Sequence, residues 1–500
     1  MNFKTTIWTF AIISLVVLSA YFIDYNRFEP NNWSIQIPDV GFTSTMRAVD
    51  LNQDGIKDLV IGGGGPEFKR TENGVTAIDG KDGTILWKVP TRNQVVGSPL
   101  FKDINRDSVP DVFIGGRSAI LLGLNGKNGE IIWEYLPSFD GMDIFNDTTF
   151  LNFTTPQFIP DQDNDGLADL LVSFGGFVKA KTNNKDRPVG NLLVISSQNG
   201  NILHKIDMPD GKETYLSPLV YDLNNDGQLS VIFGSGGETI NGHLYKALLT
   251  DLLEKKGNIE VLATGKGKGF IAAPILADVN LDGILDIIAN PVNGDMICIN
   301  GQTNEVIWEL EIDSLYEVYT IPAPGQFTEG DTIPDFFISM GAGAWPNTKF
   351  TKHILVDGSS GQTIFSDTLG LFQYASPIVY DFNADGKDDI LLAINKRQVI
   401  KEFSPYAKFY VNELKVLDVY NKKIFNIGKQ KLGSNLGGTP LITDLDADGW
   451  VDILYCFMED GNNFYSFQKG KIERTELKFK IKEMPIWGNF MGRNYNSVYQ

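Results

Sequence analysis

The chain has 500 residues, with 43 Lys and Arg against 62 Asp and Glu for a formal net charge of −19, which argues against a nucleic-acid binder built on phosphate neutralisation. Its 42% hydrophobic and 11% aromatic content supports a large core and excludes global disorder. Only two cysteines, Cys298 and Cys456, are present, which excludes a disulfide framework or a multi-thiolate metal centre.

In chain order, the first element is the uncharged apolar run at residues 7–23, preceded by Lys4 and followed by Asp24 and Arg27. It is at the lower edge of what spans a bilayer and longer than a typical signal-peptide core. Residues 1–30 are therefore expected to form an N-terminal hydrophobic helix, a membrane anchor or signal segment. Ser19 and Ala20 offer a cleavage site, but the apolar run continues past them and favours an uncleaved anchor. The remainder is then extracytoplasmic, where calcium is plentiful.

From residue 50 onward one pattern returns eight times: Asp, then Asn or Asp two on, Asp four on, usually Gly five on, and Asp eight on. Its first three copies are Asp50, Asn52, Asp54, Asp58; Asp103, Asn105, Asp107, Asp111, with Ser108 in the glycine position; and Asp161, Asp163, Asp165, Asp169. The fourth has Asp222, Asn224 and Asp226, but Ser230 replaces the last carboxylate. The fifth, seventh and eighth are Asp278, Asn280, Asp282, Asp286; Asp381, Asn383, Asp385, Asp389; and Asp444, Asp446, Asp448, Asp452. The sixth is eroded, with Phe327 and Glu329 ahead of Asp331 and Asp335. Oxygens on alternate residues of a tight loop converge on one centre, which suits Ca²⁺ better than Mg²⁺ or Zn²⁺. Several ions, up to about seven, are expected, and their charge would relieve repulsion among the clustered carboxylates.

Ahead of six loops is a strand opened by a small residue and Pro, at Ser98-Pro99, Thr155-Pro156, Ser217-Pro218, Ala273-Pro274, Ser376-Pro377 and Thr439-Pro440. Behind it comes a short apolar run, such as that after Asp58 or Asp389, of the kind that forms a strand buried on both faces. Farther on, residues 77–87 read as a strand, an Asx-Gly turn and a strand ending in Trp87, with echoes at 123–133, 194–204, 298–308 and 355–365. Leu244, Leu248, Leu249 and Leu252 suggest a short helix inserted in the fourth repeat. Four strands per repeat of about 56 residues, eight times over, predict an all-β, eight-bladed propeller of four-stranded antiparallel blades over residues 31–490, with 491–500 as a tail. Residues 33–38 or 471–480 supply the strand that closes the ring.

These loops after Pro-led strands, with glycine-rich segments such as 62–65 following, resemble the FG-GAP or VCBS calcium repeat found in the propeller of integrin α-subunits. The resemblance implies Ca²⁺ held by side chains at loop positions one, three, five and nine. The stretch 77–87 is similar to the tryptophan docking motif of quinoprotein propellers. Many quinoproteins place adjacent cysteines against pyrroloquinoline quinone; Cys298 and Cys456 are far apart in sequence, so no such cofactor is expected and the Trp pattern implies blade-to-blade packing.

His204 stands where other repeats carry Trp, and neither His243 nor His353 has a nucleophile motif beside it. Strand alternation puts the calcium turns on one face and the longer connections on the other. The latter carry Phe68, Arg70, Lys179, Arg187, Trp345, Phe350, Phe403 and Tyr406 as ligand-face candidates. The expected function is a non-enzymatic calcium-binding envelope propeller whose loop face binds a protein or glycan. The alternatives are a propeller-type polysaccharide lyase and an accessory factor in outer-membrane or surface-protein assembly.

Overall fold

The computed structural model describes residues 29–137, 150–177, 179–180, 184–344, 347–372, 374–401 and 407–500. The apolar run at 7–23 lies outside the described residues, as do Trp345, Phe403 and Tyr406. Eight antiparallel sheets form an eight-bladed β-propeller. Blade one shows the plan: Arg47–Val49 innermost, then Asp58–Gly62, Thr71–Ile78 and Ile85–Thr91, each paired with the next. The second strand is buried on both faces because a neighbouring sheet packs on each side, whereas the outer strand alternates buried and exposed residues. Blades three and six split their inner strand into two short pieces, Asn152–Phe153 with Gln157–Ile159, and Tyr316–Glu317 with Ala323–Gly325.

Blade eight contains Leu441–Thr443, Trp450–Met458 and Lys469–Lys480, with Trp33–Pro38 as its outer strand. The register from Trp33 opposite Arg474 to Pro38 opposite Lys469 closes the ring with the N-terminal strand. Both segments weighed for closure are therefore used, as the third and fourth strands of one blade.

In the fourth repeat only part of the leucine-rich segment is helical. Leu244 and Leu248 belong to the strand His243–Leu248, paired with Ser230–Gly234, and the helix is confined to Leu249–Leu253. Leu249 and Leu252 are its buried residues.

Five of the six small residues before Pro are inter-blade donors or acceptors, Ala273 having no hydroxyl to offer. The Ser98 amide donates to Thr155 Oγ1 at 3.0 Å, the Thr155 amide to Ser217 Oγ at 3.2 Å, and the Ser376 amide to Thr439 Oγ1 at 3.0 Å. A hydroxyl supplies what a Pro-led strand end needs on a buried edge.

The last stretch of chain crosses the inner strands. Carbonyls of Trp487, Gly488 and Ser497 accept from the amides of Val379, Ile442 and Leu276 at 2.9, 2.8 and 2.9 Å, and the Tyr499 amide returns to the Leu276 carbonyl at 2.9 Å. Trp487 and Met491 are buried, so residues 491–500 and those just before them satisfy inner edges that would otherwise be unpaired.

Candidate functional site

Each acidic loop joins an inner strand to the second strand of its blade, and its backbone is wound round its own carboxylates. In loop one, Asp50 accepts from the amides of Gln53 and Gly55 at 2.7 and 3.1 Å, Asn52 from Asp54 at 3.0 Å, and Asp54 from Ile56 at 2.9 Å. The winding needs two left-handed residues. Position six is the expected glycine, Gly55 at φ 86°, while position four is a non-glycine, Gln53 at 61°, with Arg106, Asn164, Asn225, Leu281, Ala384 and Ala447 in the same state in their loops. Ser108 takes φ 70° in the glycine position of loop two, so that loop keeps the shared geometry. The same turns recur at Asp103, Asn105 and Asp107, at Asp278, Asn280 and Asp282, and at Asp381, Asn383 and Asp385.

The ninth-position carboxylate has a second task. Asp58 accepts from the Leu51 amide at 2.8 Å and from the Gly80 amide at 3.2 Å, where Gly80 belongs to the turn between the blade's third and fourth strands. Asp111 does the same with Ile104 and Gly126, Asp169 with Gln162 and Ser197, and Asp286 with Val279 and Gly301. A Cβ on Gly80 would be 1.9 Å from the Lys57 carbonyl, so the close approach requires glycine. Eroded loop six retains this latch: Asp335 accepts from Thr328 Oγ1 at 2.9 Å and the Gly358 amide at 3.2 Å. Burial pushes Asp58 and Asp286 up to about 6 and Asp389 up to about 8.

The tryptophans complete the linkage. Trp87 Nε1 donates to the Gly126 carbonyl at 2.7 Å, Trp133 to Ser197 at 2.7 Å, Trp308 to Gly358 at 2.7 Å, and Trp33 to Gly80 at 2.9 Å. One turn peptide thus receives the preceding blade's Trp on its carbonyl and offers its amide to its own blade's Asp. Lys246 Nζ takes the Trp role at Gly301, at 3.0 Å. His204 stands opposite Val194 in the register that Trp87 holds opposite Ala77, with the same bulge following.

Carboxylate oxygens of Asp161, Asp163 and Asp169 lie within 4.8 Å of one another, as do those of Asp444, Asp446 and Asp452, and those of Asp446, Asp448 and Glu476. Asp165 Oδ2 and Asp446 Oδ1 are buried without a hydrogen-bond partner. Of the three clusters, that of Asp161, Asp163 and Asp169 has no basic side chain among its partners, which fits a hard cation, whereas the other two share the Arg474 guanidinium. Loop four contributes Asp222 and Asp226, which accept from Gly227 and Gln228, and Asn224, but Ser230 forms no latch carboxylate. Loop eight departs from the rest: the buried Arg474 guanidinium is 2.7 Å from Asp446, 2.7 Å from Asp452 and 3.3 Å from Glu476, and donates to the Gly80 carbonyl at 3.3 Å. Blade eight closes with a strand from the other end of the chain, so no hairpin turn supplies the latch amide, and Arg474 supplies the donors instead.

On the opposite face, Lys179 Nζ is 3.3 Å over the Phe150 ring and 5.6 Å from the Phe68 ring, and Phe68 is 45% exposed. Arg70 is exposed beside Glu72 and lines a cleft of about 590 Å³ with Tyr465 and Asn463. Phe350 is half-buried, its carbonyl accepting from Ala342 at 2.8 Å. Arg187 is apart from these, donating to buried Glu213 at 3.4 Å and to Thr239 at 3.3 Å. The sequence reading missed the group around it. Glu213 and Tyr215, and Glu317 and Tyr319, are Glu-x-Tyr pairs two residues ahead of a Pro-led strand start, and Tyr374 has the same place before Ser376-Pro377. That recurrence was the available signal.

No family model matches the chain. The human protein FAM234B is 22% identical over 410 residues, covering 75% of this chain and 61% of FAM234B, so the chain spans less than two thirds of that relative's length. Among solved structures, a europium-containing methanol dehydrogenase superimposes with TM-score 0.51 at 11% identity, covering 88% of this chain and 93% of that one. The quinohemoprotein alcohol dehydrogenase of Comamonas testosteroni gives 0.50 at 12% identity, covering 91% and 77%. At these identities the likeness is one of fold.

Proposed function

We propose that the protein is a calcium-stabilised, extracytoplasmic binding module: a rigid ring held by Ca²⁺ in the acidic loops, tethered through residues 7–23, and presenting its other face to a glycan or protein. The observation that carries the binding reading is the meeting of Phe68, Phe150 and Lys179, from three separate connections, in one exposed aromatic and basic patch. Binding is favoured over elimination chemistry because Tyr215 and Tyr319 are pushed up by burial and neighbouring carboxylates, which leaves them poor bases. Two of the three histidines are engaged elsewhere, His243 Nδ1 2.9 Å from Thr264 Oγ1 and His353 Nδ1 2.9 Å from Ser339 Oγ.

Two measurements test the proposal. Equilibrium dialysis with metal analysis is expected to find several Ca²⁺ per chain, with one lost in the Asp161→Asn, Asp163→Asn variant; a metal-free chain in millimolar Ca²⁺ would end the calcium reading. The Phe68→Ala, Lys179→Ala variant is expected to keep its melting temperature and lose retention on a glycan array or crosslinking to envelope proteins. Unchanged retention and crosslinking would remove the patch from the binding face.

A further inference from the structure

Positive charge in this acidic chain is gathered on blade seven, which is formed by Ile378–Tyr380, Asp389–Val399, Lys408–Asp418 and Lys423–Leu432. Residues 395–432 hold nine Lys and Arg against three Asp and Glu, although the whole chain has a net charge of −19. The outer strand contributes Lys423, Lys429 and Lys431, whereas no other blade's outer strand has more than one Lys or Arg. Lysine on an exposed strand edge guards against unwanted pairing. Seven edges manage with one or none, so edge protection does not explain the excess. This outer strand is also ten residues long, against four to seven in the other blades. Residues 396–399 and 408–410 lose the full burial of the rest of their strands, so the sheet projects past the ring as an arm on the loop face.

Register puts three cations on one face of the arm. Arg397 is opposite Tyr410, Val399 opposite Lys408 and Asn412 opposite Lys431, and residues that are paired or two apart share a face. That face looks toward blade eight, because Lys431 pairs with Glu473 and the Tyr410 ring is 5.4 Å from the Phe464 ring. The contacts continue in both directions: Arg397 is 5.3 Å over the Tyr410 ring, and Phe464 meets Tyr465 at 5.0 Å. Tyr465 is 43% exposed and lines the cleft of about 590 Å³ between blades eight and one. The row of rings therefore runs from the arm into the cleft. Charges lining the cleft balance, Lys69 and Arg70 against Asp39 and Glu72, and the amides of Asn463 and Gln468 also line it. On the arm, Arg397, Lys401, Lys408 and Lys429 are exposed and have no acidic partner among the described residues.

The arm supplies charge, and the cleft supplies amides and an aromatic ring. Amide side chains both donate and accept, which matches sugar hydroxyls, while unpaired Arg and Lys match carboxylate or sulfate. A neutral polysaccharide would leave the arm's cations unanswered. A flat anionic membrane would meet the arm and leave the cleft unused. We propose that an anionic polysaccharide crosses from the blade-seven arm into the cleft between blades eight and one, with acidic groups on Arg397 and Lys408 and a sugar ring on Tyr465. This rests on the reading of the loop face as a glycan-binding surface and commits it to an acidic glycan.

Calorimetric titration of the full chain in calcium, with a mannuronate hexamer and with the uncharged mannose hexamer of the same linkage, tests it. The mannuronate hexamer is expected to bind about tenfold or more tightly, an advantage that shrinks as salt rises from about 0.1 to about 1 M. The Arg397→Gln, Lys408→Gln variant is expected to lose that advantage with its melting temperature unchanged, and Tyr465→Ala to weaken both hexamers by a similar factor. Equal affinities, or an unchanged advantage in the double variant, overturn the acidic-glycan assignment and leave the glycan-binding face standing. Undiminished binding in Tyr465→Ala overturns the path through the cleft. Failure of both hexamers to bind, or capture by phosphatidylglycerol vesicles in their place, also overturns the proposal, and the Phe68, Lys179 variant then decides the face separately.

Discussion

Two buried arginines show how differently one side chain can be used. Arg474 is fully enclosed and answered by Asp446, Asp452 and Glu476, whereas Arg47 is fully buried with one hydrogen bond, to the Pro99 carbonyl at 2.8 Å, and lies 3.9 Å over the Tyr495 ring. Its Nε and Nη2 have no partner, and burial pushes it down to about 10. Arg474→Met strands three carboxylates and is expected to cost about 3–5 kcal/mol in urea unfolding, while Arg47→Met is expected to cost less than about 1 kcal/mol or to stabilise. Equal losses would show that Arg47 has compensation equal to that of Arg474. His353 gives a pH test. It is buried between Ser339 Oγ and the Leu369 carbonyl and pushed down to about 4 by burial, so it folds neutral. Its contribution is present above the unfolded value near 6.5 and is lost as pH falls toward 4, by up to about 3 kcal/mol. Between those limits His353→Gln is expected to show a shallower loss of stability than the parent; parallel curves would contradict the assignment.

At the scale of the element, the turn between third and fourth strands is the joint on which the blade interfaces close. Gly200 has φ 76°, and a Cβ there would be 2.6 Å from the Trp133 ring of the preceding blade, whereas Gly211 at φ 68° faces open space. Gly200→Ala is therefore expected to cost about 3 kcal/mol by combining backbone strain with a clash, and Gly211→Ala only the strain, about 1 kcal/mol. Similar losses in thermal unfolding would mean that Trp133 yields without cost. Much of this element was legible in the sequence, because spacing records local geometry: residues 77–87, 123–133 and 298–308 end on the paired Trp and mark the same bulge. The latch between Asp58 and Gly80 was not legible, since it depends on a backbone amide that every residue but Pro carries. The pairings of Arg187 with Glu213 and of Lys268 with Glu317 escaped for a related reason, since the partners are distant in sequence and meet only when the blades pack. The left-handed fourth position also left no mark, being filled by Gln53, Arg106, Leu281 or Ala384 without a common side chain.

For the whole molecule, the period and the Pro-led strands indicated the eight blades, but the path of residues 482–500 left no periodic trace. Their carbonyls and amides hold inner strands of blades five, seven and eight, and the Tyr495 carbonyl accepts from Gln157 of blade three at 3.1 Å. Removing residues 483–500 is expected to lower the melting temperature by several degrees and to promote association through the exposed inner edges, read by scanning calorimetry and light scattering. A monomer with unchanged melting would show that the inner strands need no cover.

Because Trp33–Pro38 pairs with Lys469–Lys480, the first strand of the fold waits for almost the last. A ribosome making about 5–20 residues per second needs on the order of a minute or less to reach that partner. Throughout that interval Trp33, Ile35 and Ile37 emerge on a ribbon with one unmatched hydrogen-bonding edge. Newly made copies on one polysome would therefore be prone to exchange this ribbon, each completing its neighbour's eighth blade. Dilution during translation should then yield more single rings than crowded expression does.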